Sequence, residues 1–129
     1  MIQKPTILLI EPDAFLADIY EKNLTMNGFK VVTAKTGEKG LFLAGSKEPV
    51  LILLEVALGK ENGFEILARI KNDKKIKKIP VIIITKLGQK KDVEKGLMLG
   101  AADYLIKIHF SPSEIVDKIK RVLAENQKI

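Results

Sequence analysis

Pro49-Val50-Leu51-Ile52-Leu53-Leu54-Glu55 places five consecutive large apolar residues between a proline and a carboxylate. A run this short, apolar on both faces, suits a central parallel strand that helices cover from both sides. It ends abruptly at Glu55. Moving outward, Val81-Ile82-Ile83-Ile84 and Thr6-Ile7-Leu8-Leu9-Ile10 are runs of the same kind, and Val31 to Ala34 and Tyr104 to Ile106 are shorter ones.

Segments of helical period separate these runs. Ala14 to Asn27 puts Leu16, Ile19, Tyr20 and Leu24 on one face, with Asp13 placed to cap it and Gly28 to end it. Gly37 to Ser46 reads as a shorter helix carrying Leu41 and Ala44 inward. A loop through Gly59 and Asn62 leads to a helix with Phe64, Leu67 and Ile70. Gln89 to Leu99 reads as a helix stopped by Gly100, and Ser111 to Asn126 carries Ile115, Ile119, Val122 and Leu123 inward. Five strand–helix units in alternation predict an α/β fold with a parallel sheet.

The 129 residues match one domain, whose core can bury roughly two-thirds of the unfolded surface. No linker or low-complexity tract interrupts the chain, so residues 1–129 are expected to form a single, stand-alone domain. A hydrophobic share of 47% beside 29% charged residues suits a globule, and no apolar run approaches the roughly 20 residues of a membrane span. Met1 to Thr6 lacks the apolar stretch of a secretory signal, and a cytoplasmic location is expected. There is no cysteine, which excludes disulfides and thiolate chemistry.

Lys and Arg number 22 against 16 Asp and Glu, a net charge of +6. The lysines cluster at Lys71, Lys74, Lys75, Lys77 and Lys78, and at Lys86, Lys90, Lys91 and Lys95. Such clusters suit an acidic partner or a phosphate backbone, or are simply a solvated face. Scarce arginine and the absence of evident stacking aromatics argue against a nucleic-acid module.

In open parallel sheets, ligands bind beyond the carboxyl ends of the strands. Those ends carry Glu11, Glu55, Thr85 and Lys107. Two carboxylates, a hydroxyl and an ammonium gathered there could handle a phosphoryl group.

Four blocks, Thr6 to Asp13, Leu51 to Leu67, Pro80 to Asp92 and Gly100 to Ile115, resemble a response-regulator receiver domain over nearly the whole chain. The resemblance implies a flavodoxin-like three-layer sandwich of five βα units with parallel sheet order 2-1-3-4-5. In that family an aspartate after the third strand takes a phosphoryl group from a histidine kinase, assisted by Mg²⁺ bound by acidic residues after the first strand. On this resemblance, Glu55 stands at the acceptor position, Glu11, Pro12 and Asp13 at the acidic pocket, Thr85 and Tyr104 at the switch positions, and Lys107 at the phosphoryl-binding position.

The chain departs from the family at two of these points. Glu55 is one methylene longer than aspartate and does not readily present the same in-line geometry. Pro12 supplies no side-chain ligand, and Asp13 is expected to cap the first helix. Mg²⁺ binding is therefore expected to be weak or absent, and no other cofactor is implied. A further departure, Ile108-His109-Phe110 in place of the usual Pro-Phe, lengthens the loop after Lys107 by one residue and bears on how the last helix is seated. His109, the only histidine, is assigned no chemistry.

The function expected is that of an atypical, non-enzymatic receiver in a two-component phosphorelay, acting through protein contacts, with Glu55 imitating the phosphorylated form near Lys107. The alternative is a conventional receiver in which glutamate replaces the acceptor aspartate. A small phosphatase with an Asp-x-Asp-like motif at Glu11-Pro12-Asp13 ranks below both. The partner, whether a histidine kinase, an output protein or a second copy, is expected on the face built by the fourth helix, fifth strand and fifth helix, with Lys90, Lys91, Lys95, Tyr104 and Lys118. A membrane partner is not expected.

Overall fold

The computed structural model describes residues 3–126. The chain forms β1 (Thr6–Ile10), α1 (Ala14–Met26), β2 (Lys30–Ala34), α2 (Gly37–Lys47), β3 (Leu51–Leu54), a small hairpin of β4 (Ala57–Leu58) and β5 (Glu61–Asn62), and α3 (Gly63–Asn72). It continues through β6 (Val81–Thr85), α4 (Lys90–Met98), β7 (Asp103–Ile106), a 3₁₀ turn at Lys107–His109 and α5 (Pro112–Asn126). The main sheet is parallel in the order β2-β1-β3-β6-β7. This is the flavodoxin-like order expected from the resemblance.

Period-two alternation sorts the strand residues onto two cores. Leu8, Ile10, Ile52, Leu54, Val81 and Ile83 pack beneath α2 and α3. Ile7, Leu9, Leu51, Leu53, Ile82 and Ile84 pack with Tyr20 and Leu24 of α1 and with Ile115, Ile119 and Val122 of α5. β3 and β6 are buried on both faces throughout, which is why their sequences show no polar alternation.

Local chemistry sets the helix ends. The Asp13 carboxylate accepts from the N–H groups of Phe15 (2.9 Å) and Leu16 (3.2 Å), so the expected cap is present. Ser111 and Glu114 cap α5 reciprocally, hydroxyl to one N–H and carboxylate to the other. Gly28 and Gly100, at φ 93° and 105°, follow α1 and α4 as expected.

Three details go beyond these expectations. Leu41 packs partly covered against the core as expected, and Leu43, not singled out in sequence, is the more deeply buried leucine of α2. The segment through Gly59 is a paired hairpin rather than an open loop. It closes because Gly63 donates to the Val56 carbonyl at 3.1 Å, in an approach so close that a β-carbon at Gly63 would collide with the Val56 backbone. The segment after Lys107 tightens into a 3₁₀ turn, with the Phe110 N–H donating back to the Lys107 carbonyl at 3.3 Å.

Candidate functional site

The ladders continue one residue beyond β1 and β3. Glu11 donates its N–H to the Ala34 carbonyl at 2.9 Å, and Glu55 donates to Ile10 at 3.0 Å. Ile10 pairs with Leu54, so Glu11 and Glu55 emerge side by side at the carboxyl edge of the sheet. Both continue the alternate set that faces α1 and α5. Lys107, two residues beyond the buried Leu105 of that set, reaches the same side.

The Lys107 ammonium lies 2.8 Å from Glu11 Oε1 and 2.7 Å from Glu55 Oε1. The lysine side chain is 14% exposed and the two glutamates 2% and 3%, so the three charges sit where water reaches poorly. The second oxygens are held by backbone: Glu11 Oε2 accepts from the Asp13 N–H at 3.1 Å, and Glu55 Oε2 from the Ala57 N–H at 2.9 Å. Glu11 Oε1 has the ammonium beside it and no other hydrogen-bond donor in reach. Burial pulls the Lys107 pKa down, but hydrogen bonds to Glu11 and Glu55 and the charges of both outweigh it and hold the ammonium above its ordinary range. One ammonium against two carboxylates leaves the cluster one negative charge in excess.

Thr85 belongs to the other alternate set. It is fully buried, and its hydroxyl accepts from the Leu87 N–H at 3.3 Å. Tyr104 is on that side too, only 8% exposed, and its hydroxyl donates to the Leu87 carbonyl at 2.7 Å. The two expected switch positions are thus joined through both backbone groups of Leu87, a residue the sequence reading did not single out. Burial, with Asp92 and Glu55 nearby, pushes the Tyr104 phenol up to about 12.

Pro12 is exposed and contributes no donor atom beside Glu11, while one carboxylate oxygen of Asp13 is taken by the cap. Glu61, also unremarked in sequence, accepts from the N–H groups of Gly37 (2.7 Å) and Glu38 (3.0 Å), placing a negative charge at the N-terminus of α2. The residues expected on the partner face lie on α4 (Lys90, Lys91, Lys95), β7 (Tyr104) and α5 (Lys118). Lys90 pairs loosely with Glu94 at 3.9 Å and Lys91 is exposed. Lys95 leans over Phe64 of α3 at 4.9 Å, Lys118 lies 5.7 Å from the Phe110 ring, and Tyr104 is turned into the core. A cavity of about 620 Å³ opens beside Lys4, Glu21 and Phe29 and is lined by none of Glu11, Glu55 or Lys107.

A family model described as response regulator receiver domain matches residues 7–120. The chain belongs to this family. A receiver is the signal-receiving domain of two-component systems, and this chain has its fold and its element order. The DNA-binding dual master transcriptional regulator RpaA of Synechocystis is 37% identical over 97% of this chain and 52% of its own length. The alkaline phosphatase synthesis transcriptional regulatory protein PhoP of Bacillus subtilis is 32% identical over 94% of this chain and 49% of its own length. The chain therefore spans about half the length of these curated relatives. Among solved structures, a CheY-like receiver domain from Methanospirillum hungatei superimposes with a TM-score of 0.89 at 25% identity, covering 97% of this chain and 98% of that one. A putative response regulator from Chloroflexus aurantiacus does so at 0.86 and 30%, covering 94% and 99%. No helix among the described residues is long and apolar enough to cross a membrane.

Proposed function

We propose that this chain is a receiver whose pocket is internally closed, so that it signals through protein contacts without a phosphoryl cycle on Glu55. The observation that carries this reading is the 2.7 Å ion pair between Glu55 and Lys107. The lysine that would meet the oxygens of an incoming phosphoryl group is already bound to the carboxylate at the acceptor position, and that carboxylate is buried.

The residues present also fit Mg²⁺ poorly. A divalent ion of this kind needs oxygens in near-octahedral array, usually with one or two carboxylates free to approach it. Here Glu11 and Glu55 both spend an oxygen on Lys107, Pro12 has none to offer, and Asp13 caps α1. A metal arriving at Glu11 and Glu55 would have to displace a buried ammonium. The module performs no turnover of its own in this reading, and p-nitrophenyl phosphate should remain uncleaved. Its partners are a kinase, an output protein or a second copy of the chain in the cytoplasm, met through the α4–β7–α5 side.

The test is incubation with acetyl phosphate and Mg²⁺ followed by intact mass. The mass of the wild type should not change, and neither Pro12→Asp nor Glu55→Asp alone should change that, because metal and nucleophile act as one unit. The double variant should gain one phosphoryl group. An added phosphoryl mass on wild type that disappears in Glu55→Ala would overturn the proposal.

A further inference from the structure

At the opposite end of the sheet from Glu11, Glu55 and Lys107, two cavities of about 220 and 330 Å³ lie side by side against Pro49 and Ile79 and together outline a groove. It runs from Ala44 and Gly45 of α2 past Ile76 and Val50 to Leu123 of α5. Ile76 is buried, Ile79 and Leu123 are half covered, and Val50 is 38% exposed, so the floor is apolar and open to the outside. The turn that forms one wall is held in shape by Lys71, whose ammonium donates inward to the carbonyls of Lys77 (3.2 Å) and Ile79 (2.8 Å). The other wall ends at Glu48, a non-glycine residue at φ 49° and ψ 55°, a conformation that persists only where the surroundings enforce it.

Lysines surround this floor. Lys75 and Lys78 line the groove, the exposed Lys74 and Lys77 neighbour them in sequence, and the exposed Lys47 precedes the lining residue Glu48. None of the five takes part in an ion pair among the described residues. Two carboxylates lie among them: Glu48 in the lining, and Asp73, which is turned back to accept from the Lys75 N–H at 2.8 Å. Five lysines against two acids leave the rim strongly positive.

We infer that this groove docks an acidic, amphipathic segment of a partner protein, whose apolar side chains enter between Pro49, Ile76 and Ile79 while its carboxylates meet the lysine rim. Charge complementarity selects the sign of the partner, and the apolar floor selects its class. A nucleic-acid backbone would satisfy the lysines but has nothing to place on isoleucine and proline, and the rim offers neither arginine nor aromatic groups to bases. A second copy of a chain carrying +6 would bring further positive charge to a positive rim. The surface is remote from Glu55, so it stands whether or not that pocket accepts phosphate.

The test is an amide-resonance titration of the whole chain with three probes: a short peptide of alternating acidic and leucine residues, the same peptide with serine for leucine, and a short DNA duplex. The leucine peptide should shift resonances of residues 44–50, 73–80 and 123, and bind about tenfold more tightly than the serine peptide or the duplex. Lys75→Glu with Lys78→Glu, both surface positions, should abolish that preference, while Lys91→Glu should leave it intact. The inference is overturned if the serine peptide or the duplex binds as well as the leucine peptide, if the shifts fall on another face, or if Lys75→Glu/Lys78→Glu binds like wild type.

Discussion

Replacing Lys107 by Met removes the only cation between two buried carboxylates and keeps most of the stem volume. The loss is set by what remains: Glu11 and Glu55, at 2% and 3% side-chain exposure, are left without the ammonium that stands at 2.8 and 2.7 Å. Breaking a buried pair by removing one partner costs about 3–5 kcal/mol, because the surviving charge stays desolvated. At an unfolding entropy of about 2 cal/mol/K per residue, the 129 residues give roughly 0.27 kcal/mol/K, so the melting temperature should fall by roughly 11–18 °C. Urea unfolding at pH 7, followed by circular dichroism, measures the loss. Adding Glu55→Gln to Lys107→Met should recover part of it, since one uncompensated charge is then gone. A loss under about 1 kcal/mol at pH 7, the range of exposed pairs, would show that water screens the cluster and would refute the closed pocket.

At high pH the sign is opposite to an acid effect. The Lys107 pKa is raised on folding, so its contribution is complete below the unfolded value near 10.4 and is lost as pH rises through the folded value; wild type should lose stability there faster than Lys107→Met. Of the two tyrosines, Tyr104 should ionise only at about pH 12 in an ultraviolet titration, and Tyr104→Phe should cost about 1 kcal/mol through loss of its bond to the Leu87 carbonyl. Asp13→Ala should cost about 1 kcal/mol in urea by uncapping α1, with no change in the response to Mg²⁺; a changed response would make Asp13 a metal ligand. Glu61→Ala should cost about 1–3 kcal/mol by orphaning the buried Gly37 N–H, whereas Glu38→Ala at the exposed pair with Arg69 should change little.

What could be read from the sequence follows the range over which each force acts. β3 and β6 are apolar because helices cover both faces, so their runs stand out without any long-range knowledge. The Asp13 cap and the Gly28 and Gly100 stops are local chemistry, and they too were legible. That Leu43 is covered more fully than Leu41 was not, because both residues of this short helix belong to one core and only its packing ranks them. Glu61 was hidden for a plainer reason: its acceptor position toward Gly37 is 24 residues away, and nothing within a turn of Glu61 signals it. The four strand-end residues were found together because the sheet topology brings strand ends together. That the lysine engages both glutamates while Thr85 turns to Leu87 depends on side-chain parity at the sheet edge.

The same parity argument connects the two departures from the family pattern. A carboxylate at position 12 would add a third negative charge to a mouth already holding Glu11 and Glu55, and one lysine could not balance three. Such a cluster requires an external cation. With proline at that position the excess falls to one charge, and Lys107 comes close to satisfying the pair by itself. Glutamate at position 55 completes the arrangement, because its carboxylate lies 2.7 Å from the ammonium. The ion pair then stabilises the sheet edge in the absence of metal. In the proposed reading the two positions act together: proline at 12 lowers the demand for a cation, and Glu55 gives Lys107 its partner. On that proposal the closed pocket should depend on Glu55 and on position 12 staying uncharged together, so changing either residue alone should disturb the charge balance without creating a site for metal and phosphate together.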